Sequence, residues 1–128
     1  MRSLGFLTTL ALLLAKGPAD ALPVTETRCG WLENPTPANF WLTDADGSWT
    51  LSTQGGYQAE GFFDLPASDL DFQDQWVSPS GRSYGYGCAC VDGVFNAQTA
   101  QTIKVMSVEP LDLAQCHADP HLPPEPGN

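Results

Sequence analysis

The chain has 128 residues, with five Lys and Arg against fifteen Asp and Glu, and a formal net charge of −10 at pH 7. A surface of that sign offers no cationic patch for phosphates, which argues against nucleic acid and anionic lipid and toward basic proteins or cations. The length suits one domain with a modest core.

The first residues carry their own pattern. Arg2 precedes the apolar run Leu4 to Ala15, Lys16-Gly17-Pro18 breaks it, and Ala19-Asp20-Ala21 has small residues flanking a cleavage point. This predicts a secretory signal peptide over 1–21. The run is short of the about 20 apolar residues that a membrane span needs. The polar Glu26-Thr27-Arg28 before Cys29 does not suit lipid attachment. The expected product is exported, periplasmic or secreted, with no membrane insertion after cleavage. It comprises a domain over 22–118 and a proline-rich flexible tail over 119–128.

Val24 to Leu32 reads as an extended lead-in. Glu33 to Asn39 holds Pro35 and Pro37, which fix φ and extend their neighbours, so a stiff loop is expected there. Phe40 to Thr53 is the clearest hairpin. Phe40-Trp41-Leu42-Thr43 forms one strand, Asp44-Ala45-Asp46-Gly47 turns, and Ser48 to Ser52 returns with polar/apolar alternation. Asp44-x-Asp46-Gly47 looks like the opening of a calcium loop but lacks the other ligand positions, which favours the turn. Gln54 to Gln58 is a second break, with Gly55 and Gly56 tolerant of positive φ. Gly61 to Asp74 is irregular. Its Asp64, Asp69, Asp71 and Asp74 are spaced as a solvated acidic loop rather than an ordered ligand set. Trp76-Val77 suggests a short strand before the turn Ser78-Pro79-Ser80-Gly81.

Tyr84 to Cys90 is the segment around which the rest is organised. If extended, it puts Tyr84, Tyr86, Cys88 and Cys90 on one face and leaves Gly85, Gly87 and Ala89 as a nearly bare opposite face. A bare face lets something bulky lie against the backbone, a core tryptophan or a ligand, with the tryptophan favoured. Val91 to Phe95 continues the strand, with Gly93 marking a bulge or bend. A polar loop at Asn96 to Gln101 leads to the strand Thr102 to Val108, which pairs back. Pro110 is expected to open a helical turn at Leu111 to Gln115, delivering Cys116. From Asp119 the chain reads as a frayed tail.

Cys29, Cys88, Cys90 and Cys116 form an even set in a short exported chain, the mark of a disulfide framework. A Cys88–Cys90 bridge would be strained and close almost no loop. Cys29 and Cys116 are therefore each expected to pair with one of these two, in either combination. A rival arrangement sets Cys88, Cys90, Cys116, His117 and His121 around copper(I) or zinc. It lacks the paired C-x2-C spacing, and an oxidising compartment disfavours it. No metal or other cofactor is therefore expected, nor a catalytic thiol. The fold class is mainly β: a small single antiparallel-sheet domain, stapled by two disulfides, with little helix.

The blocks Arg28-Cys29-Gly30-Trp31-Leu32, Asn34 to Asn39, Trp41-Leu42-Thr43-Asp44, Asp46-Gly47, Gln54 to Gln58 and Gly85 to Cys90, in this order and ending near Cys116, carry a resemblance. The chain resembles the bacterial exported proteins catalogued as domain of unknown function 4087. The resemblance implies a short chain with a leader and transfers no catalytic residue.

The features together suggest a small acidic binding or inhibitor module of the cell envelope, meeting a basic partner such as a lysozyme-like hydrolase. Contacts are expected from Asn34 and Asn39 on the stiff loop and from Gln54 and Gln58 on the glycine turn, with Trp41 and Tyr57 as aromatic anchors. The alternative ligand is carbohydrate or peptidoglycan, stacked on Trp and Tyr and hydrogen-bonded by Asn39, Gln54 and Gln58. The competing structural role for Trp31, Trp41, Trp49 and Trp76 is core. A small hydrolase is disfavoured, because no catalytic constellation is present.

Overall fold

The computed structural model describes residues 23–127 together with Gly5; apart from that glycine, the leader expected at 1–21 lies outside the described residues. Five strands follow one another as β1 (Glu26–Thr36), β2 (Asn39–Asp44), β3 (Gly47–Ser52), β4 (Gly85–Asn96) and β5 (Gln101–Leu111), and a short helix α1 (Leu113–His117) comes last. The mainly β class is as expected. The strands close into a barrel in the order β1-β2-β3-β5-β4. All neighbours are antiparallel except β3 and β5, which meet in parallel at Thr50 and Gln101. Residues 58–60 extend this short contact, since Ser52 bridges Gln58 and Glu60 bridges Lys104. A five-stranded Greek-key barrel in this order has the architecture of the OB-fold. Architecture does not transfer a function.

The hairpin forms where alternation and Asp44 to Gly47 placed it. Asp44 is 7% exposed and holds the turn from within. Its Oδ1 accepts the backbone N–H of Asp46 and Gly47 and the indole N–H of Trp49. Its Oδ2 pairs with Arg28 at 3.0 Å. The Arg28 guanidinium lies 4.0 Å from the Trp49 ring centroid, tying β1 to the hairpin by a cation–π contact.

The bare face of β4 turns into the barrel. A Cβ on Gly87 would stand 2.6 Å from Phe72 Cδ1 and 3.0 Å from Trp76 Cε3, so these rings rest directly on the strand backbone. The tryptophan expected there is Trp76, with Phe72 beside it at 5.0 Å between centroids. Both come from the β3–β4 connection, residues 53–84. This has three short 3-10 helices, Phe62–Asp64, Ala67–Leu70 and Gln73–Gln75. It delivers Phe62 and Phe72 to a core of Leu32, Leu42, Leu51, Val91, Val105 and Val108.

The opposite face of β4 is buried too. Tyr86 and Cys88 join Trp31 and Cys116 in a second cluster, with Val77, Leu111, Leu113 and Leu122 packed around it. Here the open disulfide choice is decided. Cys29 and Cys90 face each other in the β1–β4 register and are bonded, while Cys88 is bonded to Cys116. No cysteine is free, which removes the thiolates that the copper or zinc arrangement needed. The two bonds point to an oxidising, non-cytoplasmic setting. No helix among the described residues is long and apolar enough to cross a membrane.

Two expectations are corrected. The lead-in and most of the stiff loop are one long strand, β1. Pro35 is accommodated where the β1–β2 register shifts, between Glu33 and Thr36, so its missing N–H breaks no regular ladder. Pro110 opens no helix: it remains in β5 opposite Ala89, and α1 begins at Leu113. The described residues from Asp119 lie against the barrel, where the Trp31 indole N–H donates to the Pro123 carbonyl and the Tyr86 hydroxyl donates to Glu125.

Candidate binding cavity

The β3–β4 connection covers the barrel end where β1 leaves and β4 enters, and it leaves a cavity of about 400 Å³ there. Alternation along β1 and β2 turns Leu32 and Phe40 inward, where they form walls with Phe72 and Trp76. Leu70 forms an apolar lip, and Asn34, Asp71, Gln73 and Ser83 supply polar groups. The Trp76 indole N–H donates to the Ser83 carbonyl at 2.9 Å, which fixes the ring. Asp71 Oδ1 accepts the Gln73 backbone N–H. Gln73 has φ 50°, a left-handed conformation that costs energy in a residue other than glycine, and it lies at the cavity lip.

The aromatic surface runs on beyond the cavity. Phe40 stacks edge-on against Phe62 at 4.9 Å and Phe63 at 6.4 Å. Phe63 is 53% exposed and Leu70 37%. An exposed aromatic beside an apolar cavity with a few convergent polar groups is the composition of a binding site.

The predicted contact residues are only partly brought together. Asn34, Asn39 and Gln54 meet at the β1–β2 turn as braces. Asn34 donates to the carbonyls of Thr36 and Asn39, while Asn39 donates to the Thr36 hydroxyl and accepts the Gln54 backbone N–H. Of the six, Asn34 is the one that lines the cavity. Trp41 points the other way from Phe40, and its indole N–H donates to Glu33 at 2.6 Å. The Tyr57 hydroxyl donates to the Thr102 carbonyl at 2.7 Å, and burial raises its pKa above the usual phenol value. Gln54 and Gln58 are exposed, outside the cavity. Trp31 and Trp49 are core, 2% and 5% exposed.

Phe40, Phe63, Leu70, Asp71, Phe72 and Trp76 were not singled out as contacts. Most lie in the stretch with least secondary-structure pattern. The available signal was the bare face of β4, which needed bulky side chains from elsewhere in the chain. Asp69 in the same stretch is spent structurally, since its carboxylate accepts the Val108 backbone N–H. Among the described residues, no group of three or more His, Cys, Asp or Glu could hold a metal ion.

A family model described as Protein of unknown function (DUF4087) matches residues 23–123. The chain belongs to this family. The match takes in all five strands, both disulfides and every wall of the cavity, and it runs past Cys116 to Pro123, whose carbonyl Trp31 holds. Comparison with curated proteins and with solved structures finds no match. No activity therefore comes from a relative, and the chemistry has to be read from the cavity. Its walls can take an apolar stem or ring, and its lip can pair a cation or hydrogen-bond a polar head.

Proposed function

We propose that this family member is an exported acidic binding module, not an enzyme, and that its cavity receives a basic segment of a partner protein, as an inhibitor would. The observation that carries the reading is the pairing of aromatic walls, Phe72 and Trp76, with a carboxylate at the lip, Asp71, on a chain of net charge −10. A Lys or Arg side chain fits that arrangement. Its methylene stem lies along the rings, its charge gains a cation–π contact, and its head reaches the carboxylate. Phe63 and Leu70 would exclude water around it. The leader pattern and the two disulfides support a periplasmic or secreted location.

The test is calorimetric titration of the oxidised protein against a panel of basic hydrolases, lysozymes included, at low and high salt. Binding is expected to weaken with salt, and Trp76→Ala or Asp71→Asn to lower affinity by about tenfold or more. Binding indifferent to both substitutions, or none across the panel, rejects the reading. The amides of Asn34 and Gln73 beside Trp76 would also suit a sugar ring. Titration with peptidoglycan fragments, read by tryptophan fluorescence, tests that second ligand.

A further inference from the structure

Residues 119–127 run over the outer face of β1 and β4 as a proline-rich strap. The Trp31 indole N–H donates to the Pro123 carbonyl at 3.2 Å. The Tyr86 hydroxyl donates to Glu125 Oε1 at 2.6 Å, and His117 Nε2 lies 2.9 Å from Glu125 Oε2. Leu122 packs on the cluster beneath. Trp31 and Tyr86 stand edge to face, 5.7 Å between centroids. Aromatic grooves hold proline-rich segments by the same means. A proline-rich segment loses little entropy and has few N–H groups that need partners, and here its Pro123 carbonyl accepts from the indole while its Glu125 carboxylate accepts from the phenol.

Beside the described strap lies a cavity of about 280 Å³, lined by Pro126 and Gly127, by Pro35, Pro79 and Tyr84, and by Glu33. We propose that the Trp31–Tyr86 groove is a binding site for a proline-rich segment of another protein, and that the chain's own residues 122–127 occupy it in cis. A segment of another protein that also lay along this cavity would gain the Tyr84 and Pro79 walls. A cationic residue in that segment would suit Glu33 and the acidic chain. The strap of a second copy would bring only the contacts the cis strap already makes, and would lose translational freedom to make them. The cis strap acts as a tethered competitor, present at an effective concentration on the order of millimolar. This site is on the opposite face of β4 from the aromatic cavity, and either assignment can fail without the other.

The test uses the intact, 15N-labelled, oxidised chain. The Trp31 indole signal is assigned with Trp31→Phe and then followed while the peptide Leu-Pro-Pro-Glu-Pro-Pro-Arg-Pro is added. A saturable shift is expected, with an apparent Kd about tenfold lower in Glu125→Ala, which loosens the strap. The same peptide with alanine for every proline should leave the signal in place. His117→Ala serves as a second loosened chain should Glu125→Ala lose its dispersed spectrum. No saturable shift at millimolar peptide in any of these chains overturns the proposal, as does an equal response to the alanine peptide. A shift that grows with protein concentration before peptide is added also overturns it, and assigns the groove to a second copy.

Discussion

Replacing Asp44 by alanine should be among the most damaging single changes outside the cysteines. The carboxylate is 7% exposed and serves four partners: two backbone N–H groups of its own turn, the Trp49 indole and Arg28. The two backbone bonds to the carboxylate contribute at least about 1 kcal/mol each, and a buried donor left without a partner costs about 1–3 kcal/mol. The Trp49 indole would be such a donor. Arg28 keeps its contacts to Glu26 at 3.1 Å and Asp46 at 2.8 Å, both on carboxylates more exposed than Asp44, so the ion pair adds only about 1 kcal/mol. The total is about 4–6 kcal/mol, or a fall in Tm of about 15 °C or more for a domain of this size. Asp44→Asn separates the contributions. It keeps an oxygen for the three N–H donors and loses the charge, at a cost of about 1–2 kcal/mol. Guanidinium unfolding of the oxidised proteins measures both. If asparagine costs as much as alanine, charge and not the acceptor geometry holds the turn. A loss below about 1 kcal/mol in Asp44→Ala would refute the burial argument itself.

Further outcomes follow from the same geometry. Gly87→Ala places a methyl 2.6 Å from the Phe72 ring, whose side chain can yield, so about 1–3 kcal/mol is expected, together with weaker binding at the aromatic cavity. Gly85→Ala should cost more, because its methyl would meet the Val77 backbone carbonyl, which cannot swing aside; paired denaturation curves rank the two. Removing Cys29–Cys90, which spans 61 residues, should cost about 4 kcal/mol, and removing Cys88–Cys116, which spans 28, about 3.5 kcal/mol. Against a domain stability of about 5–15 kcal/mol, either double serine variant should unfold at markedly lower denaturant. The strap should loosen at both pH extremes. Hydrogen bonds from Tyr86 and then His117 hold Glu125 below its usual 4.5, so its contribution is present above that value and is lost as pH falls through the lower folded one. Burial, then Glu125, pushes Tyr86 from 10.0 up to about 12, so its contribution is present below 10.0 and is lost as pH rises toward about 12. The Trp31 indole signal across pH checks both limbs, and Glu125→Gln should flatten the acid one.

Part of the local structure was legible, while the strand through Pro35 and the strand position of Pro110 were not. Alternation in Trp41-Leu42-Thr43 and Trp49-Thr50-Leu51, with an Asp-Gly turn between, specified the β2–β3 hairpin. Gly93 marked the register shift that β4 shows between Asp92 and Gly93. The bare face of β4 announced a bulky neighbour, though not the second ring of Phe72. The candidate contacts fared less well, because Asn34, Asn39 and Gln54 look like exposed polar loop residues in sequence and prove to be hydrogen-bonded to one another's turn. Trp41 and Tyr57 likewise spend their polar ends on Glu33 and Thr102.

Local chemistry thus settles the β2–β3 hairpin, its turn and the cysteine framework, because side-chain period, turn residues and loop-closure strain act over a few residues at a time. Barrel closure rests on the short parallel contact of Thr50 with Gln101, extended by Glu60 at Lys104, between segments far apart in the chain. The choice of Cys90 for Cys29 rests on the register of β1 against β4. The cavity exists because an irregular connection folds back over the glycines of β4, and the strap because Pro123 and Glu125 find Trp31 and Tyr86. Each of these is a contact between distant segments, selected by the packing of the whole barrel, and no short window of residues encodes it.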